Sequence, residues 1–314
     1  MSHSTTRAAA RGMARAFRLE PEYERVVRSA RVARELARDR RWHATLGRLL
    51  RTGSQLSTAH RWGRPDDDAA HVVVCLWNRP QRVDKVIEML SAQDWEPGVR
   101  LLLWNNNPGD RHLYDDAARR VVRGSLLSVD LYHSAVNIGG LARFVAARLA
   151  RNGGYRGPVI MLDDDQDVTD TFVADLMRDY SPHSVVAWWA FSLHGSYWRR
   201  AEIPPGATAD HAGTGGTVYD SELVDDDRFF MCLPRRFAFL EDQWMTFVAR
   251  QAGWRVVKGR TEIGLVLEET NQYHGLKPLK DVFYHFQHDL GQKALRGKRH
   301  GRRSWRRGTF TSAP

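Results

Sequence analysis

Cysteine is scarce in this 314-residue chain: there are two, Cys75 and Cys232, each beside apolar neighbours. That excludes a disulfide framework and points to a reducing, cytoplasmic setting. No apolar run approaches the roughly 20 residues that a membrane-crossing helix needs. The opening "MSHSTTRAAARGMARAF" likewise has no apolar core of signal-peptide length. No internal repeat is visible, and residues 291–314 contain no acidic side chain.

What is present is enough for a core. Hydrophobic residues make up 42% of the chain and Trp numbers 11, which suits one large domain or two small ones. The net charge of +10 is unevenly placed. Residues 1–70 hold 15 Lys/Arg and 8 Asp/Glu, residues 291–314 hold 8 Lys/Arg, and the stretch between is left at −5. Basic arms therefore flank an acidic middle. Such arms can follow nucleic-acid phosphates or an anionic membrane surface, or serve only solubility. The tail "LRGKRHGRRSWRRG" reads as disordered by composition.

Periodicity divides the chain further. Tyr23, Val26, Val27, Ala30, Ala33, Leu36 and Ala37 recur at helical spacing, and Leu46, Leu49 and Leu50 resume the stripe. This predicts one or two amphipathic helices packed on the body. "RWGRPDDDA" follows as a linker, since Pro65 and an Asp run discourage regular structure. From His71 onward strands and helices alternate: strands over 71–78, 99–107, 125–134 and 158–165, with helices over 81–93, 113–124 and 140–152 between them. Alternation of this kind implies right-handed crossovers and a mostly parallel sheet flanked by helices, an α/β fold. A helix over Thr171 to Tyr180, a strand over 184–193 and a helix over "LEDQWMTFVARQAG" complete the reading. The expected parts are a basic helical extension over 1–65, the α/β domain over 66–290 and a disordered basic tail over 291–314.

Ligands in such sheets lie beyond the carboxyl ends of the strands. Three polar clusters stand at these ends: Asn78-Arg79, Asn105-Asn106-Asn107 and Asp163-Asp164-Asp165. The last is the most demanding, because "VIMLDDDQDV" ends a doubly covered strand in three carboxylates with no base beside them. Adjacent like charges there need a cation or hydrogen-bond donors. A solvated loop or a helix cap is the plainer alternative. Glu241 and Asp242 open a helix, where the dipole alone would favour them.

Taken together, "CLWNRP", "LLWNNNP", "MLDDDQDV" and "FLEDQW" in this order resemble the GT-A fold glycosyltransferases, specifically the family-2-like enzymes, with local wording of the exostosin type. The resemblance covers about residues 71–290. It implies transfer of a sugar from a nucleotide-diphosphate sugar, of the UDP type, to a hydroxyl acceptor on a glycan, a surface polymer or modified nucleic acid. It also implies a divalent cation, Mn²⁺ or Mg²⁺, suited by hard oxygen ligands. Asp165 is assigned to the metal and joins Asp163 as the Asp-x-Asp pair, while Asp163 and Asp164 are also directed at ribose and donor sugar. Asn78, Arg79 and Asn105 fall at nucleotide-holding positions, Asn137 near the donor sugar and Arg143 toward the diphosphate. Family-2 enzymes usually present Asp where this chain has Asn105, which leaves the base open.

By the same resemblance Asp242 is the catalytic base of an inverting enzyme, and Glu241 helps to position the acceptor. Gly215 and Gly216 of "GTGG", with Trp189, would shape the acceptor pocket; Trp188 and Trp198 are further stacking candidates. Histidine often completes the metal shell in this fold, and His285, ahead of His274 and His288, is the candidate. Nucleic-acid binding through the arms is the rival class, and it leaves the aspartates unexplained. A nucleotidyltransferase would also use paired Asp, but the expected glycine-serine phosphate loop is missing. The expected setting is cytoplasmic, and the basic arms offer a means of peripheral attachment to an anionic membrane.

Overall fold

The computed structural model describes residues 20–53, 60–64, 66, 68–119, 124–266 and 275–299. The first 19 residues, His274, and the tail from residue 300, including Trp305, lie outside this set. Two compact units divide the chain, one up to Gly47 and one from Arg48. A single helix, α1 (Glu20–Thr52), runs through both ranges where one or two were expected. In its first part Val26 and Leu36 are 66% and 50% exposed, so the apolar stripe is open there. Leu49 and Leu50 are buried, and the Asn152 amide donates to the Leu50 carbonyl.

In chain order the second unit contains β1 (His60–Gly63), β2 (Ala70–Leu76), α2 (Val83–Ser91), β3 (Val99–Asn105), α3 (Arg111–Arg119), β4 (Leu126–His133) and α4 (Leu141–Asn152). There follow β5 (Pro158–Asp163), β6 (Gln166–Val168), α5 (Phe172–Asp179), β7 (Ser184–Ala187), β8 (Ala190–Leu193), β9 (Arg200–Glu202), β10 (His211–Ala212) and β11 (Thr217–Asp220). The series ends with α6 (Arg228–Met231), α7 (Glu241–Gln251), β12 (Arg255–Lys258), β13 (Ile263–Leu265) and α8 (Lys277–Arg299).

Eight strands form one sheet in the order β1-β4-β3-β2-β5-β11-β7-β12. All but β1 and β11 run in one direction, as the pairing partners require. The expected mostly parallel α/β sheet is therefore what the structure shows. Central strands are apolar on both faces because helices cover both. On one face Val72, Val74, Leu101, Leu103, Ile160 and Leu162 pack with Val83, Val86, Ile87 and Leu90 of α2, Tyr114 of α3 and Phe172 and Leu176 of α5. Those α2 residues recur at i, i+3, i+4 and i+7, the helical stripe that makes the packing possible. On the other face α4 lies against β2 and β3.

Three expectations need correction. Arg61, Trp62 and Gly63, read as linker, belong to β1, which pairs antiparallel with β4 at the sheet's edge. The apolar stretch 184–193 is not one strand. It leaves the main sheet at Trp188 and Trp189, whose backbones bond to Gly216 and Gly213, and β8 joins a separate three-stranded sheet, β10-β8-β9. Lastly, α8 continues to Arg299, so its helical backbone enters the stretch expected to be disordered.

The edge strand has an energetic consequence. Arg61 donates to Asp130 at 2.5 Å and Arg100 donates to the same carboxylate at 2.7 Å, while the Asp130 side chain has no exposure. A chain starting at residue 66 loses β1 and one of these two partners. It should be less stable than one starting at Arg48 by about 1–3 kcal/mol, measured as a lower midpoint of thermal or denaturant unfolding. Equal midpoints would show that β1 contributes nothing.

Candidate active site

The register sets the site. Leu76 of β2 lies beside Asn105 of β3, and Cys75 of β2 lies beside Asp163 of β5. The chain order reverses between β2 and β5, with β3 and β4 on one side and β5 on the other. That switch point is where α/β sheets open a crevice at their carboxyl ends. Arg79, Asn105 and the aspartates emerge there from three adjacent strands.

Two arginines supply the compensation that the three carboxylates need. Arg143, in the first turn of α4, places Nη2 2.8 Å from Asp163 Oδ1. Arg79 Nη1 lies 2.9 Å from Asp164 Oδ1 and 3.5 Å from Asp165 Oδ2. Arg82 supports the turn from below, donating through Nε to the Asp164 carbonyl at 3.0 Å and pairing with Asp167 at 2.5 Å. Burial raises the Asp164 carboxyl to about 6 against the opposing charge of Arg79. Asp165 is raised as well, first by burial and then by repulsion from Asp163. The side chains of Asp163 and Asp165 keep 33% and 31% of their exposure, so both still face solvent.

Arg143 is 6% exposed, and its Nε and Nη1 are buried with no hydrogen-bond partner. Burial pulls its pKa down, but Asp163, Cys75 and Glu241 outweigh that and hold it above its ordinary value. A buried cation with two unmade donor bonds is costly, by about 1–3 kcal/mol for each unsatisfied group. Such a group suits an anionic ligand. Close approach around it depends on glycine: a Cβ at Gly215 would overlap the Asp163 carboxylate and Gln166, and one at Gly140 would overlap the Glu241 carboxylate.

The asparagines are tied into the loops. Asn105 has no exposure; its Nδ2 faces His133 Nδ1 at 3.0 Å and its Oδ1 accepts from Asn107 N. His133 Nε2 in turn meets Asp115 at 3.0 Å. Asn105 thus orders the loop after β3, and its amide is already engaged. Asn137 accepts from Gly139 N at 2.8 Å and shapes the turn into α4. Asn78 is exposed.

Glu241 and Asp242 open α7 and take different neighbours. Glu241 is drawn toward the Arg143 side: burial raises its carboxyl, Arg143 opposes this, and Asp242 and Asp163 add to it. Asp242 faces the three-stranded sheet. Burial would raise it, but His211, whose Nε2 lies 3.5 Å from Asp242 Oδ2, the Lys280 charge and the Gln243 N–H hold it low. Glu241 thus lies between the Arg143 guanidinium and Asp242, and both carboxyls of the pair act on Lys280. His211 and Lys280 had no sequence signal: one sits on a two-residue strand and the other is a lone lysine in an apolar helix face.

The raised carboxyl has a signed consequence. A carboxylate raised on folding holds its proton in the folded state at pH values where the unfolded chain has lost it, so its contribution to stability falls as pH rises above the usual carboxylate range. Glu241→Gln removes that penalty. The variant should gain stability over wild type at about pH 8, with little difference at about pH 5, in paired thermal melts. A gain of equal size at both would contradict the assignment.

Gly216, at φ 69°, donates from N to the Met161 carbonyl and holds the β5–β11 junction, and Trp189 is 40% exposed beside Gly213. His285 is not brought to the aspartates. It is exposed on α8, 3.5 Å from Asp281, which is itself bound by Ser196 and Tyr197 N. His288 is exposed on the same helix. Among the described residues, the group of three potential metal ligands within 4.8 Å of one another is His183, Asp220 and Glu222. It sits at the amino end of β7 and the carboxyl end of the antiparallel β11, the opposite end of the sheet from Asp163. Among the described residues no helix is long and apolar enough to cross a membrane.

No protein-family model matches the chain, and no curated protein does. Among solved structures, S. aureus TarS residues 1–349 in complex with UDP-GlcNAc is similar over 60% of this chain and 55% of its own, at 16% identity and a TM-score of 0.43. The same fragment with UDP gives 16% identity over 60% and 57%, also at 0.43. The chain thus spans less than two thirds of that fragment. Mannosyltransferase PcManGT from Pyrobaculum calidifontis, in complex with GDP-Man and Mn²⁺, is similar over 83% of this chain and 74% of its own, at 11% identity and a TM-score of 0.48.

Proposed function

We propose that the protein is a glycosyltransferase of GT-A type that takes a nucleotide-diphosphate sugar in the crevice beyond β2, β3 and β5. The observation that supports this reading is Arg143: a buried guanidinium with two unmade donor bonds, anchored by Asp163 at the start of α4, beside two more aspartates and Arg79. Fixed donors at a helix start suit phosphate oxygens. Asn78 and the solvent edge of the β3 loop would then face the nucleoside.

The carboxylate oxygens of Asp163 and Asp165 fit a hard divalent cation such as Mn²⁺ or Mg²⁺, and their partial exposure leaves them open to one. When bound, that ion neutralises the diphosphate as the sugar leaves. The chain's own residues do the rest. Arg143 and Arg79 hold the diphosphate, and Gly140 and Gly215 allow backbone to close on it. Asp242 Oδ2, ionised on the acceptor side, accepts the proton of the attacking hydroxyl. A bond forms between that oxygen and the anomeric carbon, the anomeric C–O bond to phosphate breaks, and its electron pair stays with the diphosphate. One base and one displacement give inversion. The basic arms would add a salt-sensitive attraction to an anionic polymer or surface.

Screening nucleotide sugars for Mn²⁺-dependent hydrolysis tests the reading without an acceptor. Turnover of at least one donor, lost on chelation, is expected; no turnover across UDP-, GDP-, dTDP- and ADP-sugars would contradict it.

A further inference from the structure

Arg200, an arginine without an acidic partner among the described residues, and Asp242 both border Tyr197 and Lys280. Arg200, exposed at the start of β9, lies 4.9 Å from the Phe191 ring centre and 5.7, 5.8 and 5.8 Å from those of Trp189, Tyr197 and Trp198. The rings brace one another edge-on, Trp189 against Phe191, Phe191 against Tyr197 and Tyr197 against Trp198. The other arginines of the site are paired, Arg79 with Asp164, Arg82 with Asp167 and Arg143 with Asp163. Among the described residues, Arg200 rests on rings and meets no carboxylate. A guanidinium stacked this way keeps its planar fork of donors for an oxyanion.

The same rings lead to the proposed base. His211 lies 4.8 Å from Phe191 and 5.3 Å from Tyr197, centre to centre, and its Nε2 is 3.5 Å from Asp242. Lys280, 2% exposed, donates to the Tyr197 hydroxyl at 3.1 Å, and its charge helps to hold the Asp242 carboxyl low. One layer of rings therefore separates Arg200 from His211, so an anion held by Arg200 would sit on the unit next to the one whose hydroxyl reaches Asp242. Trp189 and Trp198 flank the arginine with 40% and 44% of their surface open, a platform for the apolar face of a sugar ring.

We propose that the acceptor is an anionic saccharide or polyol chain: a hydroxyl compound with a phosphate or carboxylate on the unit adjacent to the attacking hydroxyl. Arg200 receives that anion and Trp189 and Trp198 receive the ring. This rests on the glycosyl-transfer reading of the neighbouring crevice.

Ligand-observed NMR on the full chain tests it, with glycerol phosphate and glucuronate as charged probes and glycerol and glucose as their neutral parents. A charged probe should bind at least about 10-fold more tightly than its parent, with the advantage shrinking as salt rises. Which charged probe gains decides between phosphate and carboxylate. Arg200→Ala should abolish the advantage, and Arg200→Lys, which keeps charge and bulk without the fork, should restore part of it. Equal binding of charged and neutral probes, or an advantage that both variants keep, overturns the proposal. Binding of UDP or GDP with Mn²⁺ to the wild type is read separately. If a nucleotide binds and the charge preference is absent, only the acceptor proposal falls; if no nucleotide binds, the reading beneath it falls too.

Discussion

Replacing Asp242 with Asn should slow sugar transfer by about 10²-fold or more while leaving the fold and nucleotide affinity close to wild type. Asn keeps the size of the side chain and still suits a helix start, so the Gln243 N–H retains its acceptor. What disappears is the proton acceptor. Of the two, Asp242 is the better candidate because His211 and Lys280 hold its carboxyl low, whereas burial raises that of Glu241. A group held low stays charged through neutrality, so the acid limb of the rate profile should lie below the usual carboxylate range and vanish in the variant. Transfer and nucleotide affinity measured on the same variant separate the outcomes. Wild-type transfer would reduce Asp242 to a helix cap, and transfer with retained configuration would remove the inverting assignment.

Asp165→Ala should abolish the Mn²⁺ dependence of donor hydrolysis and reduce the rate by about 10²-fold or more, since it removes one hard ligand from the cation that would neutralise the diphosphate. Stability should hold or rise. Asp165 is pushed up by burial and by Asp163, so removing it relieves repulsion, and Arg79 keeps Asp164 at 2.9 Å. A loss of rate accompanied by unfolding would mean that Asp165 serves the structure through Arg79. An unchanged metal dependence would move the ion elsewhere, with His183, Asp220 and Glu222 the first place to look.

Much of the fold was legible because the central strands are uninterrupted apolar runs and their helices keep clean stripes, as in Val83, Val86, Ile87 and Leu90. The break at Trp188-Trp189 was not legible, since both residues continue the apolar run and the reason for the break, bonds to Gly213 and Gly216, lies more than twenty residues downstream. β1 was hidden for a related reason: four residues beside a proline and an Asp run carry too little pattern, and the strand is fixed by Asp130, which lies far along the chain. In the site, the aspartates and Arg143 were visible as motif, but what neutralises the aspartates was not. A metal and sugar hydroxyls are what the sequence suggests; Arg79 and Arg143, far along the chain from one another, pair with the aspartates as well, and no local pattern announces those pairings. His211, Lys280 and Arg200 come from three separate segments with no motif, and only folding brings the first two to Asp242 and the third onto the neighbouring rings.

The most direct test of the nucleotide-sugar reading is a calorimetric titration of UDP and of GDP into the wild-type chain, with Mn²⁺ and again with chelator. The account predicts saturable binding of at least one of them that weakens at least about 10-fold when the metal is removed. Absence of binding to both, with Mn²⁺ present and the protein folded, would contradict it.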